Sequence, residues 1–167
     1  PQRAKVALSA NGTALAVWRE SNPGDNNYSM KAARYTPGVG WGAPESIEAL
    51  FTNVADADPS VVIDDQGNGI AMWQQDVGSN PTVYSNIFRA GSGWQGAVEV
   101  TGEAQALASA RIQLAMTPDG RAVATWFLGG GLGALRSMQY NAATGWSAPV
   151  TVAGSNTSRI MSMDSSG

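Results

Sequence analysis

Cysteine and histidine are both missing from this 167-residue sequence, and each absence excludes a class of chemistry. Without cysteine the chain forms neither disulfides nor zinc–thiolate sites. Without histidine it has no Ser-His-Asp or Cys-His catalysis, no histidine-ligated metal and no imidazole acid–base step. We therefore expect no metal site and no cofactor. A pair of carboxylates that cleaves a glycosidic bond is compatible with this composition.

Positive charge is also scarce. Lysine occurs only at Lys5 and Lys31, and the net charge is −3. Because proteins bind phosphate backbones through clustered lysine and arginine, we expect no nucleic-acid partner. No apolar run approaches the ~20 residues that cross a bilayer as a helix, so we expect no membrane span.

A threefold internal repeat is what the sequence does contain. Its six tryptophans form two rows, with steps of 52 to 55 residues: Trp18, Trp73 and Trp126; Trp41, Trp94 and Trp146. Each unit also has a turn that ends in glycine six residues before its first tryptophan, at Gly12, Gly67 and Gly120. A repeat of this length, built from short alternating runs, is typical of a four-stranded β-propeller blade.

The sequence therefore predicts an all-β fold of three propeller blades plus the first strand of a fourth. The predicted blades are about 3–56, 57–109 and 110–157, with the start of a fourth at 158–167. The predicted strands are 5–9, 13–19, 28–35 and 41–47; 60–63, 69–75, 82–88 and 94–101; 112–116, 121–127, 134–140 and 146–152. Propellers close with 4 to 8 blades, so we expect other blades of a longer chain, or a second copy, to complete the ring.

Both tryptophan rows have a structural interpretation. In each second strand, alternation places the first-row tryptophan on the same face as alanines, which predicts burial against a neighbouring blade. Each second-row tryptophan follows an aromatic residue by six positions, which predicts a cross-strand aromatic pair. Stacking of a sugar on the second row is the alternative interpretation.

Candidate binding residues lie where the second strands end and the first strands begin, because these ends share one rim of a propeller. The ligand-binding candidates are Arg19, Glu20, Asp25, Gln74, Gln75, Asp76 and Arg111. Arg3 and Asp58 start first strands near the same mouth. No residue is assigned a catalytic role.

The blades resemble those of bacterial secreted β-propeller repeat proteins. These have a Gly-x-Ala-x-Ala-x-Trp strand, seen here at 12–18, and a Gly-Trp-Gly/Ser-x-Pro hairpin, seen at 40–44 and 145–149. The resemblance implies a propeller of a secreted or cell-surface bacterial protein. Similarity to sialidase propellers is looser, because the tryptophan here follows the turn glycine by six residues and not by three.

Two functions are consistent with these features. The first is a non-catalytic recognition or scaffold propeller that binds a glycan or a protein through its rim. The alternative is the propeller portion of a carbohydrate-active enzyme, of glycosidase or lyase type, whose catalytic residues lie partly outside this chain.

Overall fold

A computed structural model describes residues 1–24, 27–48, 58–77, 80–101, 111–128 and 133–154. Within these ranges the chain is all-β and contains no helix, and hence no helix that would cross a membrane. The start of a fourth repeat at 158–167 lies outside the described residues.

The strands form three antiparallel sheets, one for each described repeat. The first sheet contains β1 (Gln2–Leu8), β2 (Ala14–Ser21), β3 (Tyr28–Thr36), β4 (Gly40–Trp41) and β5 (Glu45–Ser46). The second contains β6 (Ser60–Ile63), β7 (Gly69–Val77), β8 (Asn80–Arg89), β9 (Gly93–Trp94) and β10 (Val98–Glu99). The third contains β11 (Gln113–Met116), β12 (Ala122–Phe127), β13 (Leu135–Asn141), β14 (Gly145–Trp146) and β15 (Val150–Ala153).

The predicted fourth strand of each unit is interrupted. It consists of two short pieces, and both pair with the third strand of the same sheet. Pro44 and Pro149 lie in two of the gaps and have no N–H to donate to the ladder. Gly96 interrupts the second sheet with a φ of +101°, which is not a strand conformation. The first three strands of each unit lie where the sequence predicts them, within two residues at each end, except that β1 begins three residues before its predicted start.

The turns between the first and second strands have the same conformation in all three units. Their closing glycines, Gly12, Gly67 and Gly120, have φ values of +82°, +83° and +85°. Each glycine N–H donates to the carbonyl three residues earlier, over 2.9 to 3.1 Å. A left-handed glycine is the residue that such a turn favours, so the turn pattern read from the sequence is confirmed.

Each sheet has two unlike faces. The Trp face carries the tryptophan of the second strand: Trp18, Trp73 or Trp126. The reverse face carries the alternate residues of that strand: Leu15 and Val17, Ile70 and Met72, or Val123 and Thr125. Strand pairing places Val6 and Leu8 opposite Ala16 and Ala14, on the Trp face of the first sheet.

The Trp face of the second sheet packs against the reverse face of the first. Trp73 is fully buried in a cluster with Leu15 and Val17 of the first sheet. The Tyr84 ring stacks on Trp73 with centroids 6.3 Å apart. The amide of Asn86 crosses the same interface and donates to the Ile47 carbonyl over 2.8 Å.

The Trp face of the third sheet packs in the same way on the reverse face of the second. Trp126 is fully buried in a cluster with Ile70 and Met72. At the edge of this cluster the Trp146 indole N–H donates to Ser85 Oγ over 3.2 Å. The core role predicted for the first tryptophan row is thus confirmed for Trp73 and Trp126. Trp18, whose face meets no other described sheet, is only half-buried.

The predicted aromatic pairs of the second tryptophan row are also present. Edge-to-face contacts with centroid distances of 5.3 to 5.5 Å join Tyr35 to Trp41, Phe88 to Trp94, and Tyr140 to Trp146. These contacts close the hairpin between the third strand and the first piece of the fourth.

The turns themselves link the three sheets. The Asn11 side chain donates to the Asp65 carbonyl over 3.1 Å, and the Asp65 backbone N–H donates to the Pro118 carbonyl over 3.3 Å. The Arg89 guanidinium adds a bond to the Tyr140 hydroxyl over 2.8 Å. These bonds fix how the sheets are placed relative to one another at the turn end.

Trp73→Ala should destabilise the fold by about 3 to 5 kcal/mol, because it empties a large and fully covered site. Trp18→Ala is the matched control at the equivalent position of an uncovered face. It should cost only about 1 to 2 kcal/mol. Urea unfolding at dilute concentration measures both. Equal losses would mean that the neighbouring sheet does not bury Trp73 as described.

Gly69→Ala should also destabilise the fold, although the equivalent positions in the other repeats are alanines, Ala14 and Ala122. A Cβ at Gly69 would overlap Leu15 Cδ1 and would lie 2.8 Å from the Val62 carbonyl oxygen. Because the carbonyl belongs to the backbone, we expect a loss of about 1 to 3 kcal/mol in urea unfolding.

The control for this variant is Gly154→Ala, where an added Cβ has no neighbour within 4 Å. Its free energy of unfolding should stay within about 0.5 kcal/mol of the parent. If Gly69→Ala were equally silent, the first two sheets would not approach as closely as the structure has them.

Candidate functional site: a cationic cleft where the first strands begin

The first strands of the three sheets begin side by side. β6 lies in contact with both β1 and β11. Arg3, Asp58 and Arg111 each precede the turn glycine of their own repeat by nine residues, so they are equivalent positions. The repeat therefore places two arginines and one aspartate at the same point of three neighbouring strands.

These three side chains line one cleft of about 560 Å³. Its other lining residues come from the same strands and the residues just before them: Lys5, Val6, Pro59, Ser60, Val61, Ile112 and Gln113. The volume lies within the range of small-ligand sites, roughly 300 to 1,000 Å³. The cleft thus combines charged groups with apolar walls.

Asp58 is the counter-ion inside the cleft. Its carboxylate accepts a hydrogen bond from Arg3 Nη1 over 3.0 Å and lies 3.5 Å from the Lys5 ammonium. The hydrogen bond from Arg3 is the largest cause that lowers the pKa of Asp58, and the charges of Lys5 and Arg3 add to it. Asp58 is therefore ionised at neutral pH and orients both cations.

Arg111 has no such partner within the described ranges of the chain. Its side chain is exposed at the cleft. Among the described residues the lining contains three cations and one carboxylate, an excess of two positive charges in a chain of net charge −3. The sum of these charges favours an anionic ligand.

The backbone holds both arginines in an uncommon conformation. Arg3 has a φ of +55° and Arg111 a φ of +43°, and they are the only residues other than glycine with positive φ in the described ranges. The left-handed region costs an ordinary residue about 1 to 3 kcal/mol and is often found at ligand sites. Here it occurs at two equivalent positions of one cleft.

Three of the predicted ligand-binding residues are buried in the sheets. Gln74 and Gln75 are 4% and 0% exposed, because β7 continues to Val77, two residues beyond its predicted end. Gln75 accepts a hydrogen bond from the Trp73 indole over 2.9 Å. Arg19 is 5% exposed and stacks over the Tyr28 ring, 3.8 Å from its centroid.

The other four candidates differ in their positions. Glu20 and Asp76 are half-buried at the ends of β2 and β7, and burial raises the pKa of Asp76. Asp25 falls outside the described residues. Arg111 is the one candidate that lines the cleft. Arg3 and Asp58 belong with it, and their shared distance from the turn glycine was the signal in the sequence.

Comparison with known proteins does not identify the function of this chain. No family model matches the chain, and no curated protein sequence matches it. A crystal structure of a protein of unknown function from Dyadobacter fermentans is similar over 89% of this chain and 68% of its own, at 13% identity and a TM-score of 0.42. A glycosyl hydrolase from Bacteroides ovatus is similar over 93% of this chain and 50% of its own, at 13% identity and a TM-score of 0.48.

Proposed function

We propose that this chain is part of a β-propeller that acts as a non-catalytic recognition module, and that it binds an acidic glycan in the cleft where the first strands begin. The observation that carries the proposal is the convergence of Arg3, Asp58 and Arg111 on that cleft. Binding of a protein instead of a glycan is one of the outcomes that the test below distinguishes.

The propeller arrangement is supported by how the sheets stack. Each sheet packs face to face on the preceding one through a Trp face and a reverse face. The first strands lie next to one another, as the innermost strands of propeller blades do around a channel. On this arrangement the cleft lies at the mouth of the channel.

The charges of the cleft suit carboxylate or sulfate groups on a sugar. Arginine binds two oxygens of such a group with paired N–H donors, and no group among the described residues occupies these donors of Arg111. A protein partner would need a larger contact, of about 800 Å² from each side, than a cleft of this size supplies.

The carboxylate content of the described cleft supports binding without turnover. Glycoside hydrolysis commonly needs two carboxyl groups about 5 to 9.5 Å apart, one of them with a raised pKa. Among the described lining residues Asp58 is the only carboxylate, and its pKa is lowered by Arg3. The described cleft therefore favours recognition over the enzyme alternative.

Two cleft variants should change affinity in opposite directions. Arg111→Gln removes the cation that has no partner among the described residues, and should weaken binding of an acidic oligosaccharide at least about tenfold, or 1.4 kcal/mol. Asp58→Asn removes the carboxylate that neutralises part of the positive charge of the cleft, and should strengthen binding of the same oligosaccharide. A glycan array identifies the oligosaccharide, and isothermal titration calorimetry at two salt concentrations measures affinity, which should fall as salt screens the charges.

Arg121→Gln is the matched control, since Arg121 is an exposed arginine in a turn far along the sheet and pairs with Asp119 at 3.0 Å. It should bind as the parent does. Binding of neutral glycans only, binding that survives Arg111→Gln, binding of acidic peptides but no glycan, or hydrolysis of the bound glycan would each overturn the proposal.

A further inference from the structure

Two faces of the three-sheet stack meet no other sheet within the described residues. One is the Trp face of the first sheet, where Val6 and Leu8 are 65% and 72% exposed. Val61, the residue equivalent to Val6 in the second sheet, is only 8% exposed. Trp41, at the edge of the same face, is 54% exposed. The other uncovered face is the reverse face of the third sheet.

These two faces are the unlike halves of an interface that the chain already forms twice. At both internal interfaces a Trp face packs on a reverse face, and neither interface joins two faces of the same kind. At each interface the indole lies against smaller side chains of the neighbouring sheet, Leu15 and Val17 or Ile70 and Met72. The surface that suits the Trp18 face is therefore a reverse face of the same repeat.

We propose that a second copy of this chain supplies that surface. In a head-to-tail pair, the Trp face of the first sheet of each copy packs on the reverse face of the third sheet of the other. This inference rests on the propeller arrangement proposed above, but not on the acidic ligand. Propellers typically close with 4 to 8 blades, so two copies with three described sheets each fall within the range, whereas the described sheets of one copy or of three copies do not.

The reverse face of the third sheet has the groups that this contact needs. Val123 takes the place of Leu15 and Ile70, with a recess of about 690 Å³ beside it that Val123, Gln139 and Ser147 help to line. Strand pairing also makes Ser137 the counterpart of Ser85, the acceptor of the Trp146 indole N–H. By this equivalence, the exposed Trp41 of one copy donates to Ser137 of the other.

The contact is heterologous, and a closed pair of this kind has a distinctive genetic signature. Leu8→Asp places a charge on the Trp face, and Val123→Asp places one on the reverse face of the third sheet. In a dimer of either variant alone, each of the two contacts would include one altered face. Each variant should therefore associate at least about tenfold more weakly than the parent. A mixture of the two variants regains one intact contact, and should associate more strongly than either alone.

Light scattering and sedimentation velocity of the 167-residue chain, over a wide range of concentration, test this. The parent should reach twice its monomer mass of 17.3 kDa and no more. Val98→Asp, at an exposed valine of the middle sheet (55%), is the matched control and should dimerise like the parent. Near-ultraviolet circular dichroism checks that each variant is folded.

A parent chain that stays monomeric at millimolar concentration would overturn the proposal and assign the two faces to other sheets. So would a ladder of larger oligomers, or a dimer that both face variants leave intact. The glycan measurements above do not decide this question. If the chain dimerises but binds no glycan, the proposed dimer stands and only the proposed glycan ligand is rejected.

Discussion

Burial of an indole on the reverse face of the preceding sheet is the interaction on which the rest of the structure depends. No sheet of this chain has a core of its own, because a single antiparallel sheet has two faces and no interior. Trp73 and Trp126 become fully buried only through the sheet that precedes theirs. The close approach at Gly69, within reach of Leu15, and the hydrogen bonds between turns follow from this stacking.

The same stacking produces the candidate site. Repeated packing sets equivalent residues of the three first strands beside one another, so a difference at one repeat position becomes a local arrangement of charges. At that position the chain has arginine, aspartate and arginine, and the aspartate orients one arginine while leaving the other exposed. The three repeats share one backbone arrangement but differ in the residue at this position. This favours a single asymmetric binding site over an identical site in every unit.

Much of this fold is predictable from the sequence, because each structural feature recurs at the equivalent position of three repeats. The turn glycines, the aromatic pairs and the buried tryptophans all follow from spacing and alternation. The sequence does not predict the breaks in the fourth strands, because a run that contains a proline or a left-handed glycine still alternates. Gln74 and Gln75 are predicted on the rim because they end the predicted strand 69–75, whereas β7 runs on to Val77 and both side chains are buried. The pairing of Asp58 with Arg3 required the contact between β1 and β6, which sequence spacing does not reveal.

A double-mutant cycle between Leu15→Ala and Trp73→Ala tests the stacking most directly, since both side chains belong to one cluster although they lie on different sheets. Urea unfolding of the parent, the two single variants and the double variant should give a coupling energy of about 0.5 to 3 kcal/mol. The cycle between Leu15→Ala and Trp126→Ala is the control, because Trp126 belongs to the other interface, and it should be additive within about 0.5 kcal/mol. Additive losses in both cycles would contradict the stacking of a Trp face on the preceding sheet.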